Sequence, residues 1–458
     1  MDRVLEFLSD YAVGLTFGGL PADAVHQVRR RVIDALGCAL GAYAAEPPRI
    51  ARSHALEVSA SPGATVLGTS HVTAAELAAF ANGVMVRYLD FNDAGLTTDP
   101  GHPSDNIPAV LAAAEYAGAD LRTVITAIVL AYEVQGRFGE GGRLRAHGWD
   151  HVTFVALSAA AGAGKVLGLD RQQMANALAL AATPNASLRQ TRVGTLSMWK
   201  GCAAANAARN GVFAALLARR GLTGPEEAFE GRCGFLRQVT GEMELPAFGG
   251  DGRRFNVQDA KFKYYPAEYL AQCVVDPGIE IRRMLAGRVE EIEAINVETS
   301  DFAVDIAADS PDKWNPTTRE TADHSIPYVL AVALTRGDVW LEDFSTERIA
   351  DPAVHRLMQK IVVRSKEEYS REHPLAQCFR IEAVTRTGEK LVRETKYAKG
   401  HPKNPMTDAE IETKFRRLAQ PILNVARVDQ ILQRLWHLEQ EGDVRSLLGA
   451  FVLDSSGA

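Results

Sequence analysis

The sequence predicts a mainly α protein with a second, smaller α+β domain. A large all-helical domain is formed by the N- and C-terminal segments, with an inserted α+β lid domain between them. Three observations carry this. Ala-rich helical periodicity runs through the first half of the 458-residue chain, β-branched alternation takes over after about Asp276, and an amphipathic helical pattern returns from Asp408. The predicted divisions are 1–276 for the N-terminal helical part, 277–400 for the lid and 401–458 for the return to the first domain.

In the first part, apolar residues at helical spacing predict helices over 22–44, 74–88, 107–117, 121–138, 152–167, 171–182 and 202–220. Gly118, Gly168 and Gly221 stand where C-caps belong. The abundance of Ala and Gly on these helices implies close packing in a large bundle rather than a coiled coil. Further on, 289–299 and 361–363 read as strands, and 379–385 with 390–396 flank a Thr387-Gly388 turn as a hairpin. Helical patterns at 326–334 and 352–360 interleave with the strands, and 408–448 is amphipathic helix again. No internal repeat or low-complexity segment interrupts this order.

Composition narrows the class. Hydrophobic residues make up 47% of the chain, and the net charge of -7 comes from interspersed acidic and basic residues. There is no basic stripe, so neither nucleic acid nor an anionic membrane is expected as a partner. Apolar runs such as 35–45 fall short of the ~18 residues a membrane span needs. Cys38, Cys202, Cys233, Cys273 and Cys378 are scattered, with no C-x-x-C pair, which argues against a disulfide framework or zinc knuckle. Together with an N-terminus, Met1-Asp2-Arg3-Val4-Leu5-Glu6, that lacks signal-peptide character, this predicts a cytoplasmic protein.

Four clusters carry candidate chemistry. Tyr88-Leu89-Asp90-Phe91-Asn92-Asp93 and Gly101-His102-Pro103-Ser104-Asp105-Asn106 place the carboxylates of Asp90 and Asp93 and the imidazole of His102 in one loop entering a helix. Such groups suit proton transfer on a small substrate, and a packed helix core needs none of them. Asp105 or Asn106 is expected to N-cap the helix that follows, which sets His102 near a helix N-terminus where imidazolium is disfavoured. In His147-Gly148-Trp149-Asp150-His151, Asp150 is expected to cap a helix and His147 to be exposed, while His151 is the functional candidate. Ser197-Met198-Trp199-Lys200-Gly201 is expected to open the 202–220 helix, with Lys200 in its first turn, a position that favours a bound anion. Lys261-Phe262-Lys263-Tyr264-Tyr265-Pro266-Ala267-Glu268 brings a second lysine near the predicted domain junction, although a plain surface strand also fits it. Gly162-Ala163-Gly164-Lys165 lacks the Ser/Thr and spacing of a phosphate-binding loop, and Gly139-Glu140-Gly141-Gly142 follows a helical run rather than a strand. No G-x-S-x-G elbow is present.

Taken together these clusters resemble the MmgE/PrpD family, which includes 2-methylcitrate dehydratase, cis-aconitate decarboxylase and an iminodisuccinate epimerase. The blocks Arg319-Glu320-Thr321-Ala322-Asp323-His324-Ser325-Ile326-Pro327-Tyr328 and Lys399-Gly400-His401-Pro402-Lys403-Asn404-Pro405-Met406 extend the resemblance along nearly the whole chain. It implies a helical domain with a smaller α+β lid, a homodimer of the cytoplasm needing no metal and no cofactor, and a place in propionate catabolism. It also implies catalytic positions at Asp90, His102, His151 and Lys200, and substrate binding by Lys263, Asp93, Ser104 and Tyr264. Ala94 replaces a threonine of the decarboxylase pattern and Glu268 replaces a histidine, while Pro266-Ala267-Glu268 and the 319–325 block resemble the dehydratase branch. The implied activity is a hydro-lyase on a small polycarboxylate, most simply 2-methylcitrate to 2-methylaconitate. The alternatives are decarboxylation of cis-aconitate, epimerisation of iminodisuccinate, or non-catalytic binding of a dicarboxylate. Which of Asp90 and His102 serves as acid and which as base is left open.

Overall fold

The computed structural model describes every residue except Leu96, Thr195 and 454–458. The chain is mainly α with a smaller α+β part, and it forms two compact units. One contains Met1–Val193, Met198–Ala260 and the chain from Thr407 onward; the other contains Gly194–Ser197 and Lys261–Met406.

The first unit is built on the helices Ala22–Gly41, Ala75–Tyr88, Ile107–Ala117, Leu121–Gly141, Thr153–Val166, Arg171–Ala182 and Ala203–Arg219. The returning chain adds Asp408–Ala419, Val425–Trp436 and Val444–Gly449. Their ends follow from local chemistry. Asp120 caps Leu121–Gly141 by accepting from the backbone N–H of Arg122 and Thr123, and Asp170 forms a capping box with Gln173 on Arg171–Ala182. Gly118, at φ +67°, ends Ile107–Ala117 in the left-handed conformation that glycine adopts without penalty.

The unit is not wholly helical. Ala64–Thr65 and Val72–Thr73 form a short antiparallel ladder. The buried Glu115 carboxylate organises it, accepting from Thr65 N at 2.7 Å and Thr65 Oγ1 at 2.7 Å. The expected side-chain cap from Asp105 or Asn106 is also absent: Asn106 is the N-cap of Ile107–Ala117, but its amide turns instead to Pro103 O and Gln135 Oε1.

Thr153–Val166 packs against both Leu121–Gly141 and Ala203–Arg219, and it is apolar all round because every face is covered. Lys165 is its one charged residue; its ammonium donates to Ala12 O and Val13 O at the end of the Arg3–Gly14 helix. The helices approach closely because glycines stand at the crossings. A Cβ at Gly211 would lie 2.6 Å from Ala156 O and 2.7 Å from Ala160 N, both backbone atoms.

The second unit carries a four-stranded sheet in the order Ile361–Ser365, Ile292–Thr299, Phe379–Thr385, Lys390–Thr395. The first pair is parallel, with Ile295 opposite Ile361, and the other two pairs are antiparallel. Residues 289–291, expected in the strand, form a 3-10 turn ahead of it. The hairpin turns at Gly388, whose φ of +85° suits the position. Along Phe379–Thr385 burial alternates, with Phe379, Ile381, Ala383 and Thr385 inward. The helices Val275–Met284 and Ile326–Arg336 pack on each other. The division between the units falls after Ala260 rather than after Asp276. Local bonds explain this: Phe262 N donates to Gly400 O at 3.0 Å, and Tyr265 Oη donates to Asp276 Oδ1 at 2.6 Å.

No helix among the described residues is long and apolar enough to cross a membrane. All five cysteines are free thiols, and only Cys233 is exposed.

Because Gly211 faces backbone that cannot rotate away, Gly211→Ala should destabilise the helical unit by about 1–3 kcal/mol. A lowered unfolding temperature in calorimetry checks this; an unchanged one would mean that the crossing relaxes freely.

Candidate active site

The site grows from the end of the Ala75–Tyr88 helix. Just beyond it, Asp90 takes φ +51°, a left-handed conformation that costs most residues about 1–2 kcal/mol and that Asp tolerates better than most. Arg87, one turn earlier, offsets this cost by donating from Nη1 to Asp90 Oδ1 at 2.7 Å. Lys200 Nζ lies 3.3 Å from Asp90 Oδ2 and His102 Nε2 lies 3.9 Å from Asp90 Oδ1. Arg87, Asp90 and Lys200 are all buried.

The ring of His102 is oriented from both sides. Its Nδ1 is 2.6 Å from the main-chain carbonyl of Asp93, which can only accept, so Nδ1 carries the proton. In the neutral ring Nε2 is then the acceptor, and Arg87 Nη2 donates to it at 3.1 Å. A single guanidinium thus binds both Asp90 and His102. Arg87 was missed in the sequence; its signal is a charged residue on a helix whose neighbours are almost all apolar.

Asp93 and Ser104, expected at the substrate, are occupied with each other. Asp93 Oδ1 accepts from Ser104 N at 3.0 Å and from Ser104 Oγ at 2.6 Å, and Asp93 Oδ2 accepts from Tyr132 Oη at 2.7 Å with Arg31 Nη1 at 3.7 Å. Burial, reinforced by Asp93, pushes the Tyr132 hydroxyl well above its ordinary pKa, so it stays a donor. The geometry gives these two residues the task of folding the 91–104 loop. Phe91 in the same loop is held through its carbonyl by Lys414 Nζ at 2.7 Å, and Lys414 also pairs with Asp34 at 2.6 Å.

His151 enters from the turn before Thr153–Val166. Its ring centroid is 5.7 Å from that of His102. His151 Nδ1 is 2.9 Å from Asp150 Oδ1, and Arg192 Nε donates to Asp150 Oδ2 at 3.0 Å. Asp150 is therefore a shared anchor rather than the expected helix cap. Burial raises the Asp150 pKa, but Arg192 and His151 outweigh it and hold the carboxyl well below the usual range. Burial pushes the His151 pKa down against the pull of Asp150, which favours the neutral ring. With Nδ1–H directed at the carboxylate, Nε2 is the basic atom, and it has no hydrogen-bond partner among the described residues. His147 is exposed, as expected.

Lys200 sits in a 3-10 turn, Met198–Gly201, ahead of the Ala203–Arg219 helix and not in its first turn. Asp90, Asp93, His102, Ser104, His151 and Lys200 all belong to the helical unit, and the contacts above bring them together. Lys263 and Tyr264 belong to the other unit. There Lys263 is buried, and Tyr264 N and Tyr265 N both donate to Gln272 Oε1, at 3.1 and 3.3 Å. No strand forms over 261–268; instead Glu268 N-caps the Tyr269–Gln272 helix through Leu270 N and Ala271 N.

The MmgE/PrpD N-terminal domain model matches residues 6–246, and the MmgE/PrpD C-terminal domain model matches residues 265–438. The chain belongs to the MmgE/PrpD family. It is 29% identical over 381 residues to 2-methylcitrate dehydratase of Salmonella typhimurium, covering 79% of this chain and 77% of that one. It is also 29% identical to 2-methylcitrate dehydratase of Cupriavidus necator, covering 81% and 79%. A 2-methylcitrate dehydratase-like protein of Aspergillus oryzae is 28% identical, covering 94% of this chain and 91% of its own length.

Beneath the site of this MmgE/PrpD chain lies a second carboxyl of unusual character. Asp105 Oδ1 accepts from Asn92 Nδ2 at 3.0 Å, and burial, opposed by Arg87, raises its pKa to about 7. In the unfolded chain an aspartate titrates near ~3.9. The folded form therefore holds this proton more tightly, and its stability falls as pH rises from about 4 to about 7. Asp105→Asn keeps an acceptor for Asn92 and removes the titration. Its unfolding free energy should exceed the parent's by a margin that widens between pH 5 and pH 8, on the order of a few kcal/mol. A margin independent of pH would show that Asp105 is ionised throughout.

Proposed function

We propose that this protein is a hydro-lyase that dehydrates a small polycarboxylate, with 2-methylcitrate to 2-methylaconitate as the leading pair. The observation that carries this is the Asp150–His151 dyad, whose Nε2 is a neutral, unpartnered base beside the His102 ring and the Arg87–Asp90–Lys200 cluster. Dehydration requires removal of a C–H proton next to a carboxylate and delivery of a proton to the departing hydroxyl.

On this proposal His151 Nε2 takes the C–H proton, with Asp150 fixing the tautomer and stabilising the imidazolium that forms. Asp90, clamped between Arg87 and Lys200, is stabilised as the anion, which suits it to orient Lys200 and His102 better than to act as the base. The imidazolium so formed on His151 returns that proton to the departing hydroxyl, and water leaves; His102, whose Nδ1–H and Nε2 are engaged by Asp93 and Arg87, is a positioning residue beside it. Lys200 pairs with a substrate carboxylate and stabilises the charge that builds as the proton leaves. The family pattern adds Lys263 and Tyr264 as substrate-binding residues. It also adds the expectations of a homodimer, of cytoplasmic location, of independence from metal and cofactor, and of a role in propionate catabolism. The names of the relatives support the same reaction class.

Incubating the purified protein with 2-methylcitrate, citrate, cis-aconitate and iminodisuccinate, and following products by NMR, separates dehydration from decarboxylation and epimerisation. Lys200→Met should lower kcat for the active substrate by about a hundredfold or more, the scale of one lost electrostatic contact in a transition state, with the circular dichroism spectrum unchanged. Turnover near that of the parent would remove Lys200 from the mechanism.

A further inference from the structure

One charged group at the site has a donor that the fold leaves unused. Arg192 stands at the end of the Arg189–Arg192 turn, outside every motif block of the sequence. Its Nε donates to Asp150 Oδ2 at 3.0 Å, and its Nη1 makes a long contact of 3.4 Å to the carbonyl of Lys200. Its Nη2 is buried and has no hydrogen-bond partner among the described residues. Buried guanidinium donors are almost always satisfied, and an exception inside a candidate active site calls for a ligand.

The second exception lies across the same carboxylate. Asp150 uses one oxygen for Arg192 and the other for His151, and the outer nitrogen of each partner is left over: Nη2 of Arg192 and Nε2 of His151. Both side chains keep an edge open to solvent, at 14% and 16% of their surface. One leftover atom is a cationic donor and the other a neutral base. A carboxylic acid with an acidic C–H beside the carboxylate offers the complement to both. A planar guanidinium binds a carboxylate through two parallel N–H bonds, and Nη1 gives up only a contact at the limit of hydrogen-bond distance.

We infer that Arg192 is a substrate-binding residue that anchors the carboxylate next to the C–H being broken. It is a further carboxylate contact besides Lys200, and it selects tricarboxylic over dicarboxylic acids. The inference rests on the polycarboxylate hydro-lyase proposed above and names a specificity determinant within it. Holding the carboxylate on a guanidinium also stabilises the negative charge that spreads onto it as His151 takes the proton.

The test is calorimetric binding of two unreactive acids, propane-1,2,3-tricarboxylate and glutarate, to the full-length protein and to Arg192→Gln and Arg192→Lys. Arg192→Gln should weaken the tricarboxylate at least tenfold, about 1.4 kcal/mol, and change glutarate less than about threefold. Arg192→Lys, which retains the charge and a partner for Asp150, should fall between Arg192→Gln and the parent for the tricarboxylate. If Arg192 acted only through Asp150 and His151, both acids would weaken alike, and that result overturns the inference. So does an unchanged tricarboxylate affinity, or a parent protein that binds neither acid. Arg192-dependent tricarboxylate binding by a protein that transforms no acid in the NMR panel would sink the hydro-lyase reading and leave the subsite standing.

Discussion

Burying charge in an Ala-rich helical bundle is possible only if each charge finds a partner, and the helical unit is arranged around that requirement. Arg31, Asp34, Arg87, Asp90, Asp93, Lys200 and Lys414 are all buried there. Removing one partner of such a pair typically costs about 3–5 kcal/mol, because the other is left uncompensated. The pairs therefore fix the loop between the helices as firmly as a packed apolar core would. Arg87 is the centre of the arrangement. Its guanidinium reaches Asp90 and His102 together, and in doing so it holds the one left-handed aspartate at the end of the Ala75–Tyr88 helix.

The loop is supported from its far side by residues that do no chemistry. Lys414, from a helix more than three hundred positions along the chain, holds the Phe91 carbonyl and pairs with Asp34. Asp93 is consumed by Ser104, Tyr132 and the Arg31 guanidinium. These contacts leave His102 presenting a single tautomer, and they set its ring 5.7 Å from that of His151. Small residues at the helix crossings complete the design, since close approach of Thr153–Val166 to Ala203–Arg219 brings the chain before one helix, with Asp150 and His151, beside the chain before the other, with Lys200 and Arg192. The protonation state of His151 is then a property of packing: burial favours the neutral ring, and Asp150 dictates which nitrogen stays basic.

Much of this was legible in the residues. Periodicity located the helices Ile107–Ala117 and Arg171–Ala182 to the residue, and alternation located Phe379–Thr385 equally well, because an apolar stripe at a fixed period leaves few other ways to be buried. Short elements were not legible. The Ala64–Thr65 ladder depends on Glu115, fifty residues away, and the 3-10 turn carrying Lys200 reads in sequence like the start of the helix behind it. The motif residues Asp90, His102, His151 and Lys200 stood out because polar groups interrupt apolar or glycine-rich context. Arg87 and Arg192 did not, and Asp105 read only as a helix cap, since an arginine near a helix end or an aspartate before a helix is ordinary until its burial is known.

By itself, then, the sequence determined the class of fold, the family, and the residue types available for proton transfer and carboxylate binding. All of these follow from local pattern and composition. Only the tertiary structure decided which polar atoms are consumed in holding the loop and which remain for a substrate. That assignment depends on distances between segments far apart in the chain, and on the burial that makes an unpaired donor or a neutral imidazole worth keeping.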